Sequence, residues 1–119
     1  MEIIYANDKV ENTCASLKAA KKFFGGNQKL AVSLLARINA IREAEVIKDI
    51  ILTPTFHFHN LKGKMDGMFA IDVKTRSDKW RIILQPLDDN KKPYDPCNID
   101  EIATVVRIVE IKEVSTHYE

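Results

Sequence analysis

The 119-residue sequence contains few of the features that mark secreted, disordered or membrane proteins. Its two cysteines, Cys14 and Cys97, are far apart and outside any Cys-x-x-Cys spacing, so we expect reduced thiols rather than a disulfide framework or a zinc site. Gly and Pro number four each, as in an ordinary globular domain. No apolar run approaches the roughly 20 residues that cross a bilayer, and residues 1–5 lack the basic flank and long apolar stretch of a signal peptide. We therefore expect one cytoplasmic domain, residues 1–119, with no membrane contact.

Charge is nearly balanced overall, at +1, but it is unevenly distributed along the chain. Residues 57–92 carry eight Lys or Arg against five Asp, a local balance of +3. From residue 93 onward, two basic residues stand against six acidic ones, a balance of −4. We predict that an anionic ligand binds the basic middle of the chain, and the alternative on charge alone is a solvated mixed surface.

Hydrophobic spacing in the first half predicts a short strand followed by two helices. The strand is expected over Glu2 to Ala6. The first helix is capped by Asn7 or Asp8 and ends at Gly25-Gly26, and the second is capped by Asn27. The apolar stripes are Val10, Cys14, Leu17 and Phe24 on the first helix, and Leu30, Leu34, Ile38 and Ile41 on the second. The two helices are expected to form a hairpin that packs on a sheet.

The second half changes to the period-two spacing of strands. Residues 46–52 fit either a helix or an extended apolar segment. Strands are predicted over 69–74 and 80–85 with a turn between them, and a third over 105–111. The long loop over 86–100 is expected to be functional or mobile. The residues expected to face the helices are Phe69, Ile71, Val73, Trp80, Ile82 and Leu84.

Two histidines precede a short basic segment. His57 and His59 are two residues apart, so in an extended chain their rings point to the same side, as in a His-x-His metal pair or a proton-transfer site. A metal site is the weaker interpretation, because no third potential ligand lies at a spacing typical of metal sites. Lys62, Gly63 and Lys64 follow, and an imidazole beside fixed positive charges suits phosphodiester chemistry. The alternative is a pair of ordinary surface or core histidines.

Arg81 and the end of the chain supply the other candidate groups. Arg81 follows Trp80 but points to the opposite face of its strand. It either clamps a phosphate, which the planar guanidinium matches, or forms a salt bridge with Asp72 on the neighbouring strand. His117 and Tyr118 either fray with the chain end or fold back over the sheet, where they would add a second imidazole and a phenol.

From residue 58 to residue 83 the sequence resembles the host-inhibition-of-growth toxins, HigB, within the RelE/ParE superfamily of toxin-antitoxin modules. Residues 58–63 (FHNLKG) look like the family's hydrophobic-His-x-Leu-Lys-Gly segment. Residues 67–71 (GMFAI) are similar to its Gly-x-(aromatic or apolar)-Ser/Ala-Ile strand, and residues 79–82 (KWRI) to its x-Trp-Arg-Ile strand. In this order and spacing the motifs are fairly specific to the superfamily, and they separate its members from one another less well.

The resemblance implies a RelE-like α+β fold, with two N-terminal helices packed on a small twisted, mainly antiparallel sheet. It implies an endoribonuclease that enters the ribosomal A site and cuts mRNA during translation. By motif position, His59 and Lys62 match the catalytic His and Lys, and Arg81 the strand Arg. Family members often end in Asp-Tyr-His, whereas residues 115–118 read STHY, so only His117 has a counterpart. The residues expected to bind RNA are Lys64, Lys79 and Tyr118.

The mechanism implied by the resemblance uses no metal or other cofactor. A ribose 2′-hydroxyl attacks the adjacent phosphorus, the 5′-oxygen leaves and a cyclic phosphate remains. We assign the two proton transfers to His59 and His117 without choosing the base, and the stabilisation of negative charge to Lys62 and Arg81. We expect His59→Ala and Arg81→Ala to stay folded and to lose growth inhibition.

The resemblance also implies partners: a HigA-like helix-turn-helix antitoxin, the ribosome with its mRNA, and operator DNA bound only through the antitoxin. Two other functions stay open. A ParE-like toxin would bind DNA gyrase without nuclease chemistry, although the histidines and cations argue against it. A non-toxic interaction module on the same scaffold is the second, and the missing Asp-Tyr keeps it open.

Overall fold

The computed structural model describes residues 1–116, which form a five-stranded sheet with helices packed on one face. The predicted α+β class, with helices on a mainly antiparallel sheet, is confirmed. The strand order is β1-β5-β4-β3-β2, and only the β1-β5 pair of these strands is parallel. The strands are β1 (Glu2–Tyr5), β2 (His59–Asn60), β3 (Phe69–Asp72), β4 (Arg81–Leu87) and β5 (Ile108–Ser115). The α-helices are α1 (Asp8–Ala15), α2 (Leu17–Phe23), α3 (Gln28–Glu43), α4 (Ile47–Ile51) and α5 (Ile99–Ile102).

The first predicted helix is in fact two helices, α1 and α2. Ser16 between them has an extended backbone, with φ −151° and ψ 154°, and its hydroxyl accepts a hydrogen bond from the Ala19 N–H. Serine at such a position offers the backbone an alternative to a continuing helix, so the prediction of one helix and one stripe is wrong. The break turns Leu17 outward, and its side chain is 41% exposed. The predicted cap at Asn7 is confirmed, because its side chain accepts from the Val10 N–H.

Helix α3 forms as predicted and packs an apolar stripe into the core. The Asn27 side chain accepts from the Leu30 N–H and begins the helix. All four residues of the predicted stripe are buried: Leu30, Leu34, Ile38 and Ile41. At the C-terminal end of α2, the Phe24 ring packs edge-on against the Trp80 ring, with 5.0 Å between the centroids. This contact joins the helices to the sheet.

The ambiguous segment 46–52 contains the short helix α4, which places Ile47 and Ile50 in the core. It ends just before Pro54, which disfavours helical geometry in the residue that precedes it. None of the helices found among residues 1–116 is long and apolar enough to span a membrane.

Two of the inner strands, β3 and β4, alternate as predicted, with one set of side chains on the helices and the other on the opposite face. Phe69, Ile71, Val73, Ile82 and Leu84 belong to the main core. The sheet face away from the helices, which we call the open face, carries the side chains of His59, Ala70, Asp72, Arg81, Ile83 and Ser115, because these residues are cross-strand partners or two apart on one strand. A small second cluster of Leu61, Ala70 and Ile83 lies there, with Met65 and Met68 packed against it.

The bounds predicted for the last part of the chain are wrong. Strand β4 continues to Leu87, so Pro86 lies inside a strand rather than in a loop. Beyond Leu84 its only strand partner among residues 1–116 is β5, and a proline without an N–H is tolerated on such an edge. The end of the predicted loop is the start of α5, and the last strand covers Ile108–Ser115 instead of 105–111. Val105 is 56% exposed, because the chain turns there before it enters the sheet.

Both cysteines are free thiols, as predicted. Burial raises the pKa of the Cys14 thiol from 9.0 to about 11. The unfolded chain ionises this thiol at its ordinary pKa, whereas the folded chain retains the proton up to about pH 11, so the unfolded state binds fewer protons in between.

We therefore expect the free energy of unfolding to fall as pH rises from about 9 towards 11, with the Cys14 contribution fully present below pH 9. Urea unfolding at a series of pH values measures it. The Cys14→Ala variant is the matched control, because it lacks the titrating thiol and should show a shallower decline. Identical slopes for the two proteins would contradict the assignment.

Candidate functional site

The predicted site residues on β2 and β4 lie on the same face of the sheet. His59 is the cross-strand partner of Ala70, and Ala70 is the partner of Ile83. Paired residues point to one side, and Arg81 is two residues from Ile83 on β4. His59 and Arg81 therefore share the open face, as a common site requires.

Arg81 lies at the base of this face and is only 6% exposed. Its Nε lies 3.1 Å from Asp72 Oδ1. Nη1 donates to the carbonyls of Asp78 and Trp80, both at 2.8 Å, and Nη2 donates to the carbonyl of Arg76 at 3.2 Å. The guanidinium therefore holds together the turn that joins β3 and β4 in a β-hairpin.

These contacts bear on the two roles predicted for Arg81. The salt bridge with Asp72 is present. The phosphate clamp stays a prediction, and most of the N–H groups that it needs are directed at carbonyls within the hairpin. Asp72 also compensates part of the positive charge, so Arg81 would act on a bound phosphate mainly through its remaining field.

His57 has a left-handed backbone, with φ 50° and ψ 51°, which is uncommon for a residue other than glycine. The expectation of an extended chain at this position is wrong. The rings of His57 and His59 nevertheless lie on the same side, with centroids 4.7 Å apart and planes tilted by 36°. The left-handed turn, rather than strand alternation, brings them together.

The hydrogen bond of His59 identifies which ring nitrogen can accept a proton. Nδ1 of His59 lies 2.8 Å from the carbonyl oxygen of His57. A carbonyl oxygen only accepts, so Nδ1 carries the hydrogen, and in the neutral ring the lone pair is on Nε2. The ring of His59 is half-buried on the open face, and in this tautomer its Nε2 can accept a proton.

Asp72 connects the histidines to the arginine. His57 Nδ1 lies 3.6 Å from Asp72 Oδ1, the same oxygen that Arg81 Nε approaches. This distance is too long for a direct hydrogen bond, and the contact is attractive when His57 Nδ1 carries a hydrogen. From the sequence, Asp72 is predicted only as a partner of Arg81, and its proximity to His57 is not predicted. The available signal was the position of Asp72 on the Arg81 face of β3, but no pattern showed the turn at His57.

The predicted cationic residues lie at the surface around the two strands. Lys62 and Lys64 follow β2 and are exposed, and Lys79 precedes β4 and is also exposed. Gly63 between the first two has φ +67°, a left-handed conformation that glycine adopts without strain and that turns the chain out of β2. His117 and Tyr118 lie outside the described residues. Within residues 1–116, no group of three or more His, Cys, Asp or Glu could hold a metal ion.

No protein-family model matches the chain, and no curated protein matches it significantly. Among solved structures it is similar to a YoeB/ParE toxin from Agrobacterium tumefaciens. The two share 14% sequence identity with a TM-score of 0.48, and the alignment covers 99% of this chain and 100% of that chain. Values of this size do not establish a family, so the function is argued from the residues of the open face.

Proposed function

We propose that this chain is the toxin of a type II toxin-antitoxin module, a HigB-like protein of the RelE/ParE superfamily that cleaves mRNA during translation. The observation that carries the proposal is the placement of His59 on the open face with its hydrogen on Nδ1. The motifs that resemble this family, FHNLKG and KWRI, include the residues of β2 and the first residues of β4, which build this face.

The proposed reaction is transesterification within one RNA strand. His59 Nε2 takes the proton from a ribose 2′-hydroxyl, and the 2′-oxygen forms a bond to the adjacent phosphorus. The bond from phosphorus to the 5′-oxygen breaks, and that oxygen takes a proton from an acid, for which we propose His117. The products are a 2′,3′-cyclic phosphate and a 5′-hydroxyl, so the step is balanced without a metal.

The negative charge that develops on the phosphorane oxygens needs nearby cations. In the proposal, the exposed Lys62 contacts the phosphate directly. Arg81 contributes its field from the base of the open face, because its N–H groups already donate within the hairpin. Lys64 and Lys79 bind the flanking RNA, and Tyr118 stacks on a base.

The need for a ribosome in this proposal is supported by the surface of the chain. Among residues 1–116, the exposed large apolar side chains are all aliphatic: Leu17, Val32, Leu52 and Val105. Proteins that bind single-stranded RNA unaided use aromatic platforms on which the bases stack. A ribosome that presents the codon supplies that order instead. The proposal includes a cytoplasmic location, a HigA-like helix-turn-helix antitoxin, and operator DNA bound only through that antitoxin.

The test is a translation reaction with purified ribosomes and a defined mRNA, followed by mapping of the new 5′-ends. We expect cleavage of the translated message, 5′-hydroxyl products, and no cleavage of the same RNA without ribosomes. An intact message would overturn the proposal. Gyrase inhibition in a supercoiling assay would then indicate the ParE-like function, and normal growth on induced expression would indicate a non-toxic interaction module.

A further inference from the structure

Asp72 is the most deeply buried charged residue of the open face, with 1% of its surface exposed. Its Oδ1 lies between two nitrogens, Arg81 Nε at 3.1 Å and His57 Nδ1 at 3.6 Å. A buried carboxylate requires compensating positive charge, which Arg81 supplies. Because Arg81 donates to four carbonyls of the hairpin, the position of the Asp72 oxygen is fixed by the sheet itself.

His57 is the residue on which this fixed carboxylate acts. Within the described chain, neither His57 Nδ1 nor Asp72 Oδ1 makes a hydrogen bond of ordinary geometry, so their contact is electrostatic. The left-handed backbone of His57 is sparsely populated for its residue type and persists only where surrounding contacts hold it. Those contacts include Asp72 at the ring and a backbone hydrogen bond from the His57 N–H to the Pro54 carbonyl, 3.1 Å.

The left-handed turn has a direct consequence for His59. It aims the carbonyl of His57 at Nδ1 of His59, 2.8 Å away, and it places the His57 ring beside the His59 ring. Without this acceptor, His57 no longer holds the hydrogen of the neutral ring on Nδ1. In the other tautomer the hydrogen is on Nε2, and that nitrogen cannot then take a proton.

We infer that Asp72 and His57 form a positioning pair that fixes the tautomer and orientation of His59, with Arg81 as the anchor of the pair. The inference deepens the proposed function and rests on it, because the tautomer of His59 affects catalysis only if His59 is the base. Neither residue of the pair touches the reacting atoms. The arrangement resembles in principle the carboxylates that orient a catalytic histidine in other enzymes, except that here the carboxylate acts through a second histidine and a backbone carbonyl.

The experiment compares the full-length protein with its Asp72→Asn variant by nitrogen NMR of the His59 ring in its neutral form. We expect the hydrogen on Nδ1 in the original protein and a shift towards Nε2 in the variant. In the ribosome assay, we expect kcat to fall on the order of tenfold or more with KM little changed, because part of the roughly 10²- to 10⁴-fold contribution of a positioned base is lost. A merely structural role would not move the tautomer.

Asp78→Asn is the matched control. Asp78 is a carboxylate of the same hairpin, 3.9 Å from Arg81, and its side chain accepts from the backbone N–H groups of Thr75 and Trp80. These contacts place it at the turn rather than at His57. We expect this variant to keep the His59 tautomer of the original protein.

A second variant, His57→Ala, keeps the inference testable if Asp72→Asn does not fold. Alanine removes the ring through which Asp72 acts and, unlike glycine, disfavours the left-handed backbone that aims the carbonyl at His59. We expect the same loss of the Nδ1–H tautomer. The inference is overturned if His59 of the original protein carries its hydrogen on Nε2, or if either folded variant keeps the original tautomer. If the tautomer shifts as expected but ribosome-bound mRNA stays intact, the positioning pair is supported and the proposed function fails.

Discussion

Replacing Arg81 with alanine lowers the free energy of unfolding by about 3–5 kcal/mol, the range found when one partner of a buried ion pair is removed. The variant leaves Asp72 buried at 1% exposure without its cation. It also removes the donor for the carbonyls of Arg76, Asp78 and Trp80. Since small domains are stable by only about 5–15 kcal/mol, this loss is a large fraction of the total.

Urea unfolding measures the effect, and two variants serve as controls. Lys79→Ala removes an exposed cation two residues away and should change stability by less than about 0.5 kcal/mol. Arg81→Lys keeps the charge but lacks the planar fork, so its stability should lie between those of the other proteins. An Arg81→Ala protein as stable as Lys79→Ala would contradict the structural role.

This expectation changes how a non-toxic Arg81 variant should be interpreted. The sequence predicts that the Arg81→Ala protein stays folded and loses growth inhibition. The buried contacts of the guanidinium indicate that lost toxicity in this variant would reflect lost folding as well as lost charge at the phosphate. Toxicity assays of Arg81 therefore need a stability measurement beside them.

Replacing His59 with alanine should lower ribosome-dependent cleavage by about 10²- to 10⁴-fold, the usual contribution of a positioned acid or base. The half-buried ring hydrogen-bonds the His57 carbonyl, and loss of this bond should lower the free energy of unfolding by about 1 kcal/mol. Single-turnover cleavage with purified ribosomes and thermal unfolding measure the two effects separately. Growth arrest on induced expression should disappear with the cleavage.

Asn60→Ala is the matched control for His59. Asn60 is the next residue of β2, it is exposed, and its cross-strand partner Phe69 belongs to the helix-facing core rather than to the open face. We expect cleavage close to that of the original protein. A His59→Ala protein that still arrests growth, or an Asn60→Ala protein that loses as much activity, would remove His59 from the proposed mechanism.

The sequence alone determined the features that depend on neighbouring residues. The apolar stripe of α3 and its cap at Asn27 were predicted because helical spacing and a capping side chain act within a few residues. The alternation of β3 and β4 was predicted for the same reason, and it placed Arg81 on the face opposite Trp80. The prediction of phosphate chemistry also rests on residue types alone, and it stays a prediction.

Tertiary structure decided what those side chains contact. Whether Arg81 faces a phosphate or the carbonyls of its own hairpin depends on the folded path of residues 73–80, and whether His57 approaches Asp72 depends on two segments fifteen residues apart. The left-handed turn at His57 has no signal in its residue type, because such a backbone is held by surrounding contacts and not by local preference. Local spacing therefore determined the elements and their faces, while packing between distant segments decided the approach of His57 to Asp72 and the engagement of Arg81.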